Sequence, residues 1–265
     1  MENYAKDFNM DLFRLDGKVA MITGANQGLG FAYAVALAKA GADIFIPHFT
    51  SDIADVKAAV EAEGKKVAFL QGDLTKADYR QACVDECMKA YGKIDILINN
   101  AGINYACALP DFPDEKWAMV TDLQLDAVHY LSRLVAKVMI EQKSGKIINI
   151  ASALSFSADL NATAYTVAKH GIVGMTRSYA AELGQYGITC NAVAPGFFDS
   201  EMNRSIQELR PEMYKMVSDK IPLSQGGWGK IADLMGTIVF LASPASDYVT
   251  GVVFAVDGGF KAQMI

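Results

Sequence analysis

The stretch "KVAMITGANQGLGFAYAVALAKAG", residues 18–41, decides the fold. It opens with six mostly apolar residues, as in a strand covered on both faces, and it closes with an alanine-rich segment typical of a helix. Three glycines, Gly24, Gly28 and Gly30, lie between the two. A strand that turns through glycines into a helix gathers backbone N–H groups at the helix N-terminus, where a pyrophosphate can bind. The stretch therefore predicts the first βα unit of a nucleotide-binding sheet.

Six further apolar runs follow, with helical segments between them. The seven predicted strands are "KVAMIT" (18–23), "DIFIPHF" (43–49), "KVAFLQ" (66–71), "IDILINN" (94–100), "KIINIAS" (146–152), "ITCNAVA" (188–194) and "VVFAVDG" (252–258). This alternation predicts an α/β fold of Rossmann type, a doubly wound, seven-stranded parallel sheet with helices on both faces. We expect one domain over residues 1–265, because no linker, repeat or low-complexity segment divides them. The longest departure from the alternation, 197–228, is predicted to be a partly helical substrate lid.

The composition disfavours several classes of function. The chain has 24 lysines and arginines against 30 aspartates and glutamates, a net charge of −6. This balance argues against binding to nucleic acid or to an anionic membrane. The first residues carry no apolar leader, and charged residues interrupt the apolar runs, so we expect a cytoplasmic protein. The four cysteines form no CxxC and the three histidines no metal-ligand spacing, which predicts free thiols and no metal site.

The end of the second predicted strand leaves the choice of dinucleotide open. An acid there usually binds the ribose hydroxyls of NAD, and a basic residue accommodates the 2′-phosphate of NADP. This chain has His48, Phe49, Thr50 and Ser51 instead. An acid would repel the phosphate, whereas His48 and the hydroxyls could accept either cofactor. Asp73, at the end of the third strand, could meet the adenine or could cap a helix.

Polar residues end the fourth and fifth predicted strands, at the sheet edge where ligands bind in such folds. The motif "NNAG" (99–102) places two amides in an apolar strand, which is costly unless they are hydrogen-bonded. They could pin strands, line the cofactor cleft, or both. Ser152 ends the fifth strand, and Tyr165 and Lys169 follow in "AYTVAKH" (164–170). Their spacing of four puts the two side chains on one face of a helix, one turn apart.

Taken together, these motifs resemble the short-chain dehydrogenase/reductase family from about Leu15 to Gly259. The matching pieces are "TGANQGLG" (23–30), "NNAG", Ser152, "YTVAK" (165–169), "APG" (194–196) and "VDGG" (256–259), in the family's order and spacing. The resemblance implies an NAD(P)-dependent alcohol dehydrogenase or carbonyl reductase. The chain looks most like the branch of 2-dehydro-3-deoxy-D-gluconate 5-dehydrogenase and gluconate 5-dehydrogenase, which interconvert keto and hydroxyl groups of sugar acids. The family also implies a homotetramer, with helices at about 114–142 and 162–185 as the usual dimer faces.

The resemblance assigns a role to each catalytic candidate. Tyr165 would be the proton donor and acceptor, Lys169 would lower the pKa of Tyr165 and hold the nicotinamide ribose, and Ser152 would bind the carbonyl oxygen. Gln124 stands where the family usually has an asparagine that helps to hold a proton-relaying water. Its amide is one methylene longer, so it could shift or weaken the relay, or only pack the helix.

The resemblance also implies contacts to cofactor and substrate. The expected cofactor-binding residues are Gly24, Asn26, Gln27, Gly28, Leu29, Gly30, His48, Asp73, Leu74, Asn100, Ala101, Gly102, Tyr165, Lys169, Pro195, Gly196 and Phe198. The expected substrate-binding residues are Asn104, Ser152, Leu154 and Tyr165.

The substrate is less well defined than the chemistry. Members of the sugar-acid branch often carry an arginine pair just after "NNAG", whereas this chain has Ile103, Asn104 and Tyr105. Arg204 and Arg210 could supply the missing charge from the lid, or could be solvated helix residues. A neutral ketose, a polyol or another small ketone is therefore an alternative substrate, and a catalytically silent nucleotide-binding protein is a further alternative. An epimerase or dehydratase would need a larger substrate domain than 197–228.

Overall fold

The computed structural model describes residues 9–50, 52–200, 208, 210–223 and 227–262. Its strands are β1 (Val19–Ile22), β2 (Asp43–His48), β3 (Val67–Gln71), β4 (Ile96–Asn99), β5 (Gly145–Ile150), β6 (Ile188–Pro195), β7 (Phe198–Asp199), β8 (Gly229–Lys230) and β9 (Val253–Val256). Seven of them form one parallel sheet in the order β3-β2-β1-β4-β5-β6-β9, and β7 pairs with β8 in a separate short ribbon. The predicted sheet is confirmed, while the short ribbon was not predicted.

Helices cover both faces of this sheet. They are α1 (Gly28–Ala40), α2 (Ala54–Ala62), α3 (Ala77–Tyr91), α4 (Asp114–Thr121), α5 (Ala127–Gln142), α6 (Thr163–Leu183), α7 (Pro211–Asp219) and α8 (Ala232–Ala242). A π-helical turn, Asp122–Asp126, joins α4 to α5. None of the helices in the described part of the chain combines the length and apolar character needed to cross a bilayer.

Alternate residues of the central strands enter different cores, which explains why these strands are apolar throughout. Ile96 and Ile98 pack with residues of α1 and α8 on one face. Leu97 packs on the other face with Cys83 of α3 and Leu131 of α5. All four cysteines are free, as expected, and burial raises the pKa of Cys83, Cys87 and Cys190 to about 12.

The order of the strands creates a crevice between β1 and β4. The chain runs outward from β1 to β2 and β3, and then returns to place β4 on the other side of β1. In open α/β sheets the carboxyl ends of the strands at such a reversal form the ligand site. Here Thr23 N–H donates to Ile98 O (3.1 Å) and Gly24 N–H donates to Pro47 O (2.8 Å), so the glycine loop lies directly on this edge.

The described part of 197–228 is partly helical, through α7, and an aromatic cluster anchors it. Trp228 lies between Phe197 and Tyr214, at ring-centroid distances of 5.3 and 5.0 Å, and Phe260 packs on Phe197. Arg210 is exposed, just before α7, and Arg204 lies outside the described residues. That this segment acts as a substrate lid stays a prediction.

Candidate active site

The glycine loop has the geometry of a phosphate-binding turn. Gly24 (φ +65°) and Gly28 (φ +57°) occupy the left-handed region, where side chains are strained. At Gly30 a Cβ would lie 2.5 Å from Asn100 Nδ2 and 2.8 Å from Gly24 O, so only glycine fits. Gly28 is exposed at the start of α1, where its Cβ position faces open space, and Gln27 makes no side-chain cap. The first N–H groups of α1 are thus approachable, and the loop fits a dinucleotide pyrophosphate.

The "NNAG" motif holds that loop in place. Thr23 Oγ1 accepts hydrogen bonds from the backbone N–H groups of Asn100 and Ala101, both at 3.0 Å. In return, Asn100 Nδ2 donates to Thr23 O at 2.9 Å and to Gly24 O at 3.3 Å. Asn100 therefore joins the end of β4 to the glycine loop, which is the pinning role that the sequence left open.

Asn99 belongs to a buried network that links the sheet to two helices. Its Nδ2 donates to Ser132 Oγ on α5 (2.9 Å) and to Asn149 Oδ1 on β5 (2.8 Å). Asn149 Nδ2 donates to Thr176 Oγ1 on α6 (2.9 Å), and that hydroxyl donates to Ile172 O (2.7 Å). Sequence reasoning missed Asn149. The signal that could have found it is a second amide in an apolar strand, directly opposite Asn99 in the sheet register.

Ser152 is oriented by a short helical turn, Ala153–Ser155, at the end of β5. Its Oγ accepts a hydrogen bond from Leu154 N–H (3.2 Å), while Ser155 Oγ accepts one from Ser152 N–H (3.2 Å). Ser155 Oγ in turn donates to Lys169 O (2.8 Å), which fixes the turn to α6. Because Ser152 Oγ is an acceptor in the bond to Leu154, its own proton is available to a neighbouring oxygen.

Lys169 lies on α6, one turn after Tyr165, and is buried. Its Nζ donates to Ile150 O at 2.8 Å and lies 5.4 Å from the centroid of the Tyr165 ring. Burial lowers the pKa of Lys169 to about 8, since desolvation disfavours the ammonium. The structure thus brings Ser152, Tyr165 and Lys169 together at the carboxyl edge of the sheet.

The pKa of Tyr165 differs from what we expected from the sequence. Burial raises its pKa, and a hydrogen bond with Ser152 offsets that rise only in part, so the pKa stays above its ordinary value rather than falling toward neutrality. The physical reason is that the phenolate would be desolvated, while the Lys169 ammonium is engaged with the Ile150 carbonyl. Tyr165 is therefore held in its protonated form, which is the form of a proton donor.

Gln124 sits within the π-helical turn and is buried against the segment after β4. Its Nε2 donates to Ile103 O at 2.7 Å, and a Cβ on Gly102 would come within 2.7 Å of its Oε1. The Oε1 atom is buried and has no hydrogen-bond partner among the described residues. Gln124 therefore packs on the "NNAG" segment and keeps one acceptor free.

The loop after β2 is tied to the glycine loop. Asn26 Nδ2 donates to Thr50 Oγ1 (2.7 Å) and to Asp52 O (3.1 Å). His48 is buried, its Nδ1 contacts Thr50 O and its ring stands edge-on to Phe69. The structure thus turns His48 toward its own loop, so its predicted contact to a cofactor has no support in the ring geometry.

Asp73 closes a turn ahead of α3 and does not cap the helix, because Lys76 is the N-cap residue and no side chain caps α3. Its Oδ1 accepts from both Thr75 N and Thr75 Oγ1 at 2.8 Å. Burial by itself would raise the pKa of Asp73, but these bonds hold it below its ordinary value. Leu74 is buried beside Ala101 in a small cavity that also reaches Thr23.

The remaining candidates are spread along the same edge of the sheet. Pro195 ends β6, and Gly196 N–H donates to Val256 O (2.9 Å) where a Cβ would collide with Asp257. Phe198 is buried in the core, so its side chain is not available to a ligand. Leu29 and Leu154 are half-buried and Asn104 is exposed.

Comparison with known proteins agrees with this geometry. A family model described as enoyl-(acyl carrier protein) reductase, of the short-chain alcohol dehydrogenase type, matches residues 24–261. The chain belongs to the short-chain dehydrogenase/reductase family.

Individual relatives cover almost the whole chain. The uncharacterized oxidoreductase YgcW of Escherichia coli K12 is 45% identical over 256 residues, which cover 97% of each protein. The 2-dehydro-3-deoxy-D-gluconate 5-dehydrogenase of Bacillus subtilis is 40% identical over 253 residues, covering 96% of this chain and 98% of the relative. The crystal structure of a gluconate 5-dehydrogenase from Burkholderia cenocepacia, in complex with NADP and tartrate, is 35% identical with a TM-score of 0.90, covering 96% and 99%.

As a short-chain dehydrogenase/reductase, the protein is a nicotinamide-dependent oxidoreductase. Gln124 is the point at which its site departs from the pattern we expect of the family. The sequence contains no asparagine between Asn104 and Asn149, so no neighbouring residue replaces the usual amide.

Proposed function

We propose that this protein interconverts a keto and a hydroxyl group on a sugar acid, with NAD(P) as cofactor and Tyr165 as the acid/base. The observation that carries the proposal is the convergence of Ser152, Tyr165 and Lys169 beside a glycine loop that fits a pyrophosphate. The names of two relatives, a 2-dehydro-3-deoxy-D-gluconate 5-dehydrogenase and a gluconate 5-dehydrogenase, support the sugar-acid class.

The glycine loop and Lys169 would hold the cofactor, which supplies or accepts a hydride when bound. Open N–H groups at Gly28 face the pyrophosphate position. Lys169 Nζ has three N–H donors, of which Ile150 O takes one. The other two would be available to the ribose hydroxyls. Lys169 would then bind and orient the ribose while it keeps its hydrogen bond to Ile150 O.

Tyr165 and Ser152 would act on the carbonyl oxygen of the substrate. In the reductive direction the Tyr165 hydroxyl donates its proton to that oxygen, and the Ser152 hydroxyl donates a hydrogen bond to it as negative charge develops. A raised pKa keeps Tyr165 protonated and ready for reduction at neutral pH. Oxidation needs the phenolate, and burial raises the pKa of Tyr165, so oxidation should accelerate as the pH rises.

A cation near the substrate cleft supports an acidic substrate. The segments 101–113 and 152–162 contain no lysine or arginine. Lys116 on α4, however, places its ammonium 5.4 Å from the centroid of the Tyr105 ring, and Tyr105 packs beside Ala164 and Ala168 on the helix of Tyr165. This ammonium can attract a carboxylate into the cleft.

A neutral ketose, polyol or other small ketone is the second candidate substrate. The observation that favours it is the apolar and uncharged character of Ile103, Asn104 and Tyr105, where the sugar-acid branch often has arginines. A silent nucleotide-binding protein is disfavoured, because Ser152, Tyr165 and Lys169 are all present and in contact.

Assembly and location belong to the same proposal. Large apolar side chains are exposed on α4 to α6, among them Trp117 (40%), Tyr130 (38%) and Val167 (43%). Such a surface is suited to contact with further copies, and we propose a cytoplasmic homotetramer. Light scattering after size-exclusion chromatography would test it, and a monomer at micromolar concentration would contradict it.

The absorbance of reduced nicotinamide during turnover tests the proposed reaction. Both reduced cofactors are offered with 5-ketogluconate, keto-uronates, neutral ketoses and simple diketones. The proposal expects oxidation of the cofactor with a keto sugar acid, and expects Lys116→Met to raise KM for the acid but not for a neutral ketone. Turnover of neutral ketones alone would replace the substrate class, and cofactor binding with no turnover on any compound would favour the silent protein.

A further inference from the structure

The edge that binds the adenosine end of a dinucleotide is formed by two loops that are tied together. Gly24 N–H donates to Pro47 O (2.8 Å), and Asn26 Nδ2 donates to Thr50 Oγ1 (2.7 Å) and to Asp52 O (3.1 Å). In such folds the ribose next to the adenine lies at this edge, and the group opposite its 2′ position selects the cofactor. Thr50 and Asp52 therefore lie where NAD and NADP would be distinguished.

The glycine loop, β2 and the loop after β2 carry no lysine or arginine. Residues 19–38 and 40–56 contain no lysine or arginine. Lys39 stands at the far end of α1, about 16 Å from Gly28 at 1.5 Å per residue, and pairs with Glu63 at 2.7 Å. Lys57 points along α2 toward Glu61, at 3.9 Å. A 2′-phosphate needs a guanidinium or an ammonium to replace its hydration, and neither is directed here.

The His48 side chain is directed into its own loop rather than toward a ligand. Its Nδ1 faces Thr50 O, and since a carbonyl only accepts, this nitrogen carries the hydrogen. The ring is 5% exposed and stands edge-on to Phe69 at 6.0 Å. The His48 imidazole thus contacts its own loop, through Thr50 O.

Asp52 supplies the opposite charge. It is exposed, and apart from the imidazole of His48 it is the one ionisable side chain in residues 44–54. Its Oδ1 accepts from Ala54 N–H (3.2 Å), which fixes the carboxylate at the start of α2, while its carbonyl is bonded to Asn26 of the glycine loop. A carboxylate here accepts a hydrogen bond from a ribose hydroxyl and repels a phosphate.

We propose that the chain selects NAD(H) against NADP(H), and that Asp52 is the specificity-determining residue. The inference rests on the proposed function and refines its cofactor. It separates this chain from the similar gluconate 5-dehydrogenase, which was solved with NADP bound.

The test is a titration of the protein with NADH and with NADPH, followed by nicotinamide fluorescence without any carbonyl substrate. At low ionic strength we expect Kd for NADPH to exceed Kd for NADH by about tenfold or more, from repulsion of a doubly charged group. Added salt should narrow that ratio, because it screens an exposed carboxylate.

Two matched variants locate the effect. Asp52→Asn can keep the hydrogen bond from Ala54 N–H and removes the charge, so Kd for NADPH should fall by about tenfold with little change for NADH. Asp55→Asn, an equal charge change at an exposed position of α2, should alter neither Kd.

The inference would be overturned by equal affinity for the two cofactors, by tighter binding of NADPH, or by the same response from Asp55→Asn as from Asp52→Asn. If Lys57→Ala weakened NADPH binding, Lys57 would be a phosphate ligand and the inference would also fail. Selective NADH binding without turnover of any carbonyl compound would keep this inference and reject the proposed substrate class. Turnover with equal efficiency from both cofactors would reject this inference and keep the proposed function.

Discussion

Two polar clusters lie along β5 and α6, and the hydrogen-bonding groups of one are more completely satisfied than those of the other. The closed cluster consists of Asn99, Ser132, Asn149 and Thr176, whose side chains hydrogen-bond one another across two strands and two helices. The open cluster consists of Gln124, Ser152, Tyr165 and Lys169. It holds an amide oxygen without a partner among the described residues, a lysine with a lowered pKa and a tyrosine with a raised pKa.

The difference separates the residues that stabilise the fold from the residues that are available to a ligand. Buried polar groups that satisfy one another make a core specific and rigid, whereas unsatisfied ones are costly and stay available to a ligand. The closed cluster ties β5, after which Ser152 follows, to α6, the helix that carries Tyr165 and Lys169. Damage to the closed cluster should therefore lower stability, and damage to the open cluster should lower the rate.

The largest effect on rate outside Tyr165 is expected at Lys169. Lys169→Met removes the ammonium proposed to hold the nicotinamide ribose beside Tyr165, so kcat/KM should fall about a hundredfold or more. Steady-state kinetics with the keto substrate would measure it. If the variant kept the native rate, Lys169 would not contribute to catalysis.

The same variant should reveal a pH-dependent stability difference. The pKa of Lys169 is about 8 in the folded protein, against an ordinary lysine value of 10.5. Between these pH values the unfolded state holds the additional proton, so the free energy of unfolding of the native protein should rise with pH relative to Lys169→Met. The full rise is roughly 3 kcal/mol. Denaturant unfolding at pH 7.5 and pH 10 would detect it, and a constant difference would contradict the lowered pKa.

The largest effect on stability is expected in the closed cluster. Asn149→Ala leaves Asn99 and Thr176 each short of one partner in a buried site, at a cost of about 2–4 kcal/mol. Asn104→Ala, at an exposed asparagine, should change the free energy of unfolding by less than about 0.5 kcal/mol. Urea denaturation compares the two. If Asn149→Ala unfolds like Asn104→Ala, the closed cluster does not carry stability.

The smallest effect is expected at Gln124, which belongs to the open cluster and also packs on the "NNAG" segment. Gln124→Asn keeps an amide in the π-helical turn, so kcat should stay within about tenfold of the native rate or rise. Gln124→Leu removes the free acceptor and the bond to Ile103, and should be slower than Gln124→Asn at similar stability. Equal rates for the two would show that Gln124 only packs.

The sequence predicted the sheet better than it predicted the electrostatics of the candidate site. Apolar runs are diagnostic when helices cover both faces, so all seven strands were found, although "IDILINN" begins as a strand only at Ile96, and Asp95 instead accepts Val19 N–H through its side chain. The π-helical turn was not predictable, because Asp122–Asp126 has ordinary helical composition. The sign of the Tyr165 pKa shift was missed because burial depends on packing, which spacing along the chain does not reveal.

The most direct test of the account is the rate of reduced-nicotinamide oxidation by Tyr165→Phe, measured beside its free energy of unfolding. Removing one hydroxyl from the open cluster should lower kcat about a thousandfold while the free energy of unfolding and Kd for NADH stay near the native values. A loss of stability equal to that of Asn149→Ala, or a rate close to native, would contradict the assignment of Tyr165 to proton transfer and with it the division between the two clusters.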